Sequence, residues 1–338
     1  MNSKKINYEQ LASFWLLSMI ILVFLMIIVG GLTRLTDSGL SITEWELFKG
    51  IFPPINNDTW VTYFNLYKEI PQFKLLNPSM NLEEFKVIFL WEYFHRLLGR
   101  LIGLMYLLPL IYFSFKGAFE KKILYILYFI FFLILVQGML GWYMVESGLI
   151  NKTTVSHYRL SLHLLFAFII ISFLVWNYLN FKNNEDKVFF NLQNKLIKVL
   201  FLLILLQIII GAFVSGLDAG LIYQTWPKMN LSYFPDDVAF DHFNLINFFN
   251  NQSFVQFLHR TFAYLITVFV IIVGIKMFLE KKVKILKNYF FVFLVLTIQV
   301  LLGIFTLISG LNLYLASLHQ ITSVILVFTV LNLNHKLS

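Results

Sequence analysis

The chain alternates long apolar runs with short polar connections. Runs long enough to cross a hydrocarbon core of about 30 Å, which takes about 20 helical residues, cover 14–34, 94–115, 122–144, 160–180, 196–216, 257–279, 288–309 and 314–333. Each is continuously apolar rather than alternating over ten residues, so helices are predicted and a β-barrel is not. The expected architecture is an all-α integral membrane protein with eight transmembrane helices. Two connections, 35–93 and 217–256, are long, and long loops commonly carry function or cover it. The first holds Trp45, Pro53-Pro54 and Trp60, the second Trp226-Pro227 and Asp236-Asp237. Their aromatic residues suit headgroup depth at the membrane surface.

The eight runs form two sets of four that repeat one another. Ile27-Ile28-Val29-Gly30 closes the first run and Ile208-Ile209-Ile210-Gly211 the fifth. Seven residues after each glycine stand Asp37-Ser38-Gly39-Leu40 and Asp218-Ala219-Gly220-Leu221, and eight after each aspartate stand Trp45 and Trp226. The second and sixth runs open on Phe94-His95-Arg96 and Leu258-His259-Arg260. The third and seventh carry Gln137-Gly138-Met139-Leu140-Gly141 and Gln299-Val300-Leu301-Leu302-Gly303, and the fourth and eighth open on Leu162-His163 and Leu318-His319. Because four is even, the halves share one orientation, which predicts two parallel-repeat four-helix bundles, 1–184 and 185–338. The glycines read as positions of close helix packing or helix termination.

Charge fixes the expected orientation. With the N-terminus inside, the cytoplasmic connections carry a net charge of +10 and the opposite side −2, from an overall +8. This satisfies the positive-inside rule and predicts cytoplasmic termini. No arginine precedes the first run, so neither a cleaved signal peptide nor a mitochondrial transit peptide is expected, and a bacterial plasma (inner) membrane is the simpler location. With 59% hydrophobic and 13% charged residues the composition excludes a soluble domain. The lysines lie in short clusters between apolar runs, which speaks against nucleic acid and leaves membrane lipid as the surrounding partner.

The chain has no cysteine and seven histidines. Disulfides, thiolate-bound zinc and iron–sulfur clusters are therefore excluded. His157, His242 and His335 are expected at the surface, whereas His95, His163, His259 and His319 fall near the outer start of the even-numbered runs, in one depth band. An intramembrane imidazole is a candidate functional group because an unpaired polar group in hydrocarbon is costly. A hydrogen bond to a neighbouring carbonyl would satisfy any one of them, but it explains a fourfold repetition poorly. Two imidazoles from facing helices can supply both axial positions of a haem iron inside a four-helix bundle. His95 with His163 would make one site and His259 with His319 the other. Zinc lacks enough ligands, with only Glu92 near the first pair. Arg96 and Arg260 either snorkel to the interface or hold an anionic propionate.

One position breaks the repeat. Glu92 lies three residues before His95, whereas Gln256 stands three before His259. A carboxylate can relay a proton or stabilise a developing cation and an amide cannot. That points to chemistry in the first half and a permanent haem in the second. The competing reading makes Glu92 an exposed carboxylate favoured by a helix N-terminus. A dihaem b-type electron-transfer protein would need the same histidines without accounting for Glu92. A transporter fits parallel repeats but finds no alternating-access path.

Taken together, Glu92-Tyr93-Phe94-His95-Arg96, His163, Leu258-His259-Arg260, His319-Gln320 and the segment Gly30 to Ser41 resemble the haem A synthase family over nearly the whole chain. The resemblance implies an oxidoreductase that converts haem O to haem A by oxidising a porphyrin methyl group to a formyl group, through a hydroxymethyl intermediate. It implies haem b on His259 and His319, haem O on His95 and His163, and Glu92 as the catalytic carboxylate. Some members carry a cysteine pair in the first external loop. Its absence here resembles the mitochondrial and alphaproteobacterial branch. The expected partners are haem O synthase as supplier and terminal oxidase assembly factors as recipients.

Overall fold

The computed structural model describes residues 7–45, 49–150, 152–189, 195–238, 245–281 and 283–338. They form eleven α-helices: α1 (Tyr8–Leu35), α2 (Asn57–Lys68), α3 (Pro71–Leu76), α4 (Leu82–Phe115), α5 (Lys121–Leu149), α6 (His157–Asn183), α7 (Lys195–Gly216), α8 (Leu245–Asn250), α9 (Gln252–Leu279), α10 (Val283–Ile308) and α11 (Leu313–Leu337). Among the described residues, eight of these are long and apolar enough to cross a membrane: α1, α4, α5, α6, α7, α9, α10 and α11. Each of the eight predicted runs lies on one of them. The chain is an all-helical, multi-pass membrane protein.

The largest difference from expectation is in α4, which starts at Leu82 rather than near residue 94. The cause is a polar signal. Asn81 accepts from the Glu84 amide and Glu84 returns a bond to the Asn81 amide, a reciprocal cap that satisfies two N-terminal donors well before the apolar run begins. His95 and Glu92 are therefore more than two turns inside a helix.

By its contacts the chain divides into two compact units, Ser18–Ala167 and Met1–Leu17 with Phe168–Ser338. In the first, the long connection folds into α2 and α3 rather than remaining a loop. The Asn56 side chain caps α2 and Pro71 opens α3. Their aromatic faces pack on the extended start of α4: Trp60 stands edge-on to Phe89 at 5.0 Å, and Phe64 and Tyr67 lie 5.1 and 5.2 Å from Phe85. The buried Gln72 accepts from the Tyr67 hydroxyl and donates to the Asp37 carbonyl. Asp37 takes a left-handed φ of 49° directly after α1, a conformation that aspartate tolerates better than most residues.

In the second unit α10 packs on α11, α11 on α7, α7 on α9 and α9 on α10, closing a ring of four helices. Asp218 repeats the left-handed turn, with φ 51°, after α7. The expectation that His335 is a surface residue is overturned: it is 1% exposed. The last turn of α11 folds into the unit, where the His335 ring nitrogen Nε2 meets Asn180 Oδ1 at 2.8 Å and Trp176 stands edge-on at 5.0 Å. Lys187 donates to the His335 carbonyl, and the Trp176 indole donates to the Lys187 carbonyl. These bonds group the end of α6 with the second unit. His157 opens α6 and is half-buried beside Tyr158. His242 lies outside the described residues.

Candidate functional site

The four repeated histidines meet in pairs, one pair per unit. His95 on α4 faces His163 on α6 with ring centres 6.5 Å apart, and His259 on α9 faces His319 on α11 at 6.4 Å. Two imidazoles on opposite sides of one metal, each bound at about 2 Å, bring their ring centres to roughly 6 to 6.5 Å. Both pairs match that spacing before any group is placed between them.

Each ring rests on a glycine of a neighbouring helix. A Cβ built on Gly30 would stand 2.8 Å from His95 Cε1, on Gly141 3.0 Å from His163 Cε1, on Gly211 3.0 Å from His259 Cε1, and on Gly303 2.9 Å from His319 Cε1. At Gly30 and Gly303 a Cβ would force the histidine ring to shift, and at Gly141 and Gly211 the ring would have to give by a few tenths of an ångström. The close packing expected of these glycines is thus packing against the candidate ligands themselves. One turn before three of them lies a glutamine. Gln137 Nε2 donates to the His163 carbonyl and lies 3.3 Å from its ring Nε2. Gln207 Nε2 donates to the His259 carbonyl at 3.0 Å. Gln299 Nε2 lies 3.4 Å from His319 Nε2.

The ring nitrogens differ in their partners. His319 Nδ1 lies 3.1 Å from the Gln299 carbonyl; with its proton there, Nε2 keeps the lone pair a metal needs. Among the described residues, Nδ1 of His95, His163 and His259 is buried and unpartnered. Buried imidazole nitrogens are normally paired, so unpartnered Nδ1 atoms on three of the four rings are unusual. No group of three or more His, Asp or Glu gathers among the described residues. Each unit thus offers two facing imidazoles, with no third His, Asp or Glu gathered with them as a metal-ligand group among the described residues.

Glu92 is 2% exposed, which removes the reading of an exposed carboxylate at a helix start. Its Oε2 accepts from the Ser41 hydroxyl and from the Ile42 amide, each at 2.8 Å. Its Oε1 accepts from Arg96 Nη2 at 2.7 Å and Nε at 3.1 Å. Arg96 also reaches the Ile42 and Glu44 carbonyls and lies 5.2 Å from the Trp45 ring centre. Carboxylate and guanidinium together pin the segment after Asp37 onto α4.

The second unit contains the same clamp without the carboxylate. Arg260 donates to the Tyr223 and Thr225 carbonyls at 2.8 Å, positions that match Ile42 and Glu44 when Asp218 is aligned on Asp37. Gln256 donates to the Tyr223 carbonyl at 2.9 Å. Tyr223 and Ser253 in turn donate to Asp237 at 2.7 and 2.6 Å. Burial alone would raise the Asp237 carboxyl, but these hydroxyls bring it below its ordinary value. Both arginines thus point at loop carbonyls. Arg96 is neutralised by Glu92, whereas Arg260 keeps a buried Nε with no partner among the described residues.

The Ile42 amide and Gln207 belong to these sites without having been singled out by motif, and Ser41 does so as the end of the Gly30 to Ser41 segment, with no role assigned to it. A signal exists for Gln207, since Gln-x-x-x-Gly recurs at 137–141, 207–211 and 299–303. That segment carries the family resemblance, but nothing in it points to Glu92 about fifty residues on, and Ile42 carries no signal.

Residues 13–331 match a family model described as Cytochrome oxidase assembly protein, COX15-CtaA. A Heme A synthase of Pelagibacter ubique is 48% identical over 324 residues, 94% of each chain. One of Rickettsia bellii is 42% identical over 323 residues, covering 94% of this chain and 95% of its own. One of Parvibaculum lavamentivorans is 44% identical over 265 residues, covering 78% and 77%. With paired histidines in each unit, a match spanning nearly every helix and relatives aligned almost end to end, the chain belongs to the COX15-CtaA family of cytochrome oxidase assembly proteins.

Proposed function

We propose that the chain is a haem A synthase, a membrane oxidoreductase that takes haem O as substrate and oxidises one porphyrin methyl group to a formyl group. The name its relatives carry supports this. The observation that carries the mechanism is the pair of matched histidine sites, of which, among the described residues, one alone has a buried carboxylate. A dihaem electron-transfer protein has no use for that asymmetry.

On this reading His95 and His163 hold haem O, and His259 and His319 hold a resident haem b. The resident haem supplies one-electron redox capacity when bound. The half comprising 1–184 carries the substrate and the half comprising 185–338 carries the cofactor. The glycines set the ring positions. Glu92 sits one turn before His95, its two oxygens fixed by four donors. A carboxylate held in that way cannot turn aside, and it can accept a proton from, or stabilise positive charge on, the methyl carbon being oxidised. Arg260, with a donor to spare, is the better candidate for a haem propionate, while Arg96 holds Glu92 and the loop.

We assign the protein to a bacterial plasma membrane with both termini cytoplasmic and both sites toward the outer face. Haem O synthase and terminal oxidase assembly factors are the partners that fit this place. Reporter fusions after residues 118 and 184 should read cytoplasmic and one at residue 60 external. The deciding experiment is conversion of haem O by the purified protein with a competent redox supply. Haem retained without any haem A formed would defeat the enzyme assignment.

A further inference from the structure

Three of the four histidines are tied to a neighbouring helix by a glutamine one turn before the supporting glycine: Gln137 with His163, Gln207 with His259, and Gln299 with His319. The corresponding position before Gly30, the seat of His95, is Met26. A thioether cannot donate a hydrogen bond. Met26 instead packs beside Gly99, one turn beyond His95 on α4, where a Cβ would stand 3.2 Å from its Cε. The His95 Nδ1 is buried without a partner, as are those of His163 and His259, so what sets His95 apart is the missing glutamine donor and not its ring. Met26 thus makes an apolar contact where the other three positions donate, while about two turns further along α1 the Thr33 hydroxyl reaches the Trp91 carbonyl of α4 at 3.5 Å.

We propose that His95 is the exchangeable ligand of its site, and that Met26, standing where each of the other histidines has a glutamine, leaves it free to release and rebind the macrocycle. The inference rests on the reading that His95 and His163 hold the substrate. A substrate site must let its occupant go once per turnover, whereas a cofactor site must not. An interhelical hydrogen bond inside a bilayer shifts an opening equilibrium by about three- to thirtyfold. One missing bond therefore suffices to separate a site that exchanges from one that retains. His163 on the opposite face keeps its glutamine, so the site can open on one side without losing its register on the other.

The test follows haem leaving the full-length protein in lipid nanodiscs, loaded with iron protoporphyrin IX and mixed with excess apomyoglobin, in the Soret region. The parent should release haem in a fast and a slow phase. Met26→Gln, which restores the missing donor, should slow the fast phase about three- to thirtyfold with the slow phase unchanged. Gln207→Met should speed the slow phase by a similar factor, and it tests the same logic if the first variant fails to accumulate. An unaltered fast phase in a Met26→Gln protein that still loads overturns the proposal, as does an unaltered slow phase in Gln207→Met. If Met26→Gln slows only the slow phase, the glutamine logic survives but the assignment of substrate to His95 and His163 is wrong, and the proposal falls with it. Unchanged turnover in a Met26→Gln protein whose fast phase is slowed would overturn the link to exchange without touching the enzyme assignment.

Discussion

Replacing Glu92 by glutamine separates a chemical role from a structural one. The side chain keeps its size, but it cannot satisfy both of its present neighbours. If the amide oxygen faces Arg96, the NH2 group meets the Ser41 hydroxyl and the Ile42 amide, and the Ile42 donor loses its acceptor. If it faces Ile42, the NH2 group meets the Arg96 guanidinium, donor against donor. Either way Arg96, 11% exposed at its side chain, loses its counter-ion. Removing one partner of a buried pair costs about 3–5 kcal/mol, so a clear fall in thermal midpoint is expected while haem on His259 and His319 is retained. Loss of a positioned proton acceptor lowers turnover about 10²- to 10⁴-fold. Ser41→Ala is the calibration, because it removes one bond to the carboxylate, worth about 1.5–3 kcal/mol, and leaves the charge. Turnover is read from extracted haems separated by reversed-phase chromatography, and stability from thermal melts in the same detergent. If Glu92 acts chemically, Glu92→Gln loses far more turnover than its stability deficit relative to Ser41→Ala accounts for. Turnover within about threefold of the parent in Glu92→Gln would refute the reasoning, and losses proportional to destabilisation in both variants would reduce Glu92 to a latch.

Other consequences follow from the same geometry. Gly211→Ala and Gly303→Ala, whose Cβ atoms would stand 3.0 and 2.9 Å from a histidine ring, should lower haem retention in the second unit, whereas Gly138→Ala, with nothing within 4 Å, should leave retention unchanged; haem-to-protein ratios after purification decide this. Arg260→Ala should weaken haem retention more than Arg260→Lys, and equal retention in both would remove the propionate contact. The Asp237 carboxyl lies below its ordinary value in the folded protein. Its contribution to stability is therefore complete above about pH 4 and lost as pH falls through the folded value. The thermal midpoint gap between parent and Asp237→Asn should shrink below about pH 4 and stay level at neutral pH.

The spans were legible because a bilayer demands contiguous apolar residues and satisfied backbone, which leaves little freedom in where helices lie. The paired histidines were legible because each recurs in the same register of its half, and the structure brings each expected pair to about one metal's width. What escaped depends on contacts far apart in the chain or on polar signals outside the apolar runs. The Asn81 and Glu84 cap lengthens α4 with residues that no hydropathy window includes. Ser41 and Ile42 reach Glu92 through a turn whose direction is set by the left-handed Asp37 and by Gln72 holding the Asp37 carbonyl. His335 looked like a tail residue because its neighbours Asn334 and Lys336 are polar, yet Asn180, Trp176 and Lys187 close around it from elsewhere in the chain.

The duplication supplies its own control for Glu92. Arg260 fastens its loop through the Tyr223 and Thr225 carbonyls as Arg96 does through Ile42 and Glu44, yet in the second unit the adjacent side chain is an amide. The clamp therefore forms without a carboxylate. Burying an ion pair is seldom more stabilising than a neutral arrangement of the same shape, because desolvation offsets the attraction between the charges. Glutamine at 92 would leave Arg96 unpaired in the present site, but the arrangement around Gln256 shows that the arginine–carbonyl clamp itself does not require a carboxylate. The difference at Met26 runs the same way, since a donor present beside three histidines is absent beside the fourth. Both departures fall beside His95, one placing a buried carboxylate there and the other replacing an amide donor by a thioether. A site that must transform its occupant and then release it needs both changes, and a site that keeps its occupant needs neither.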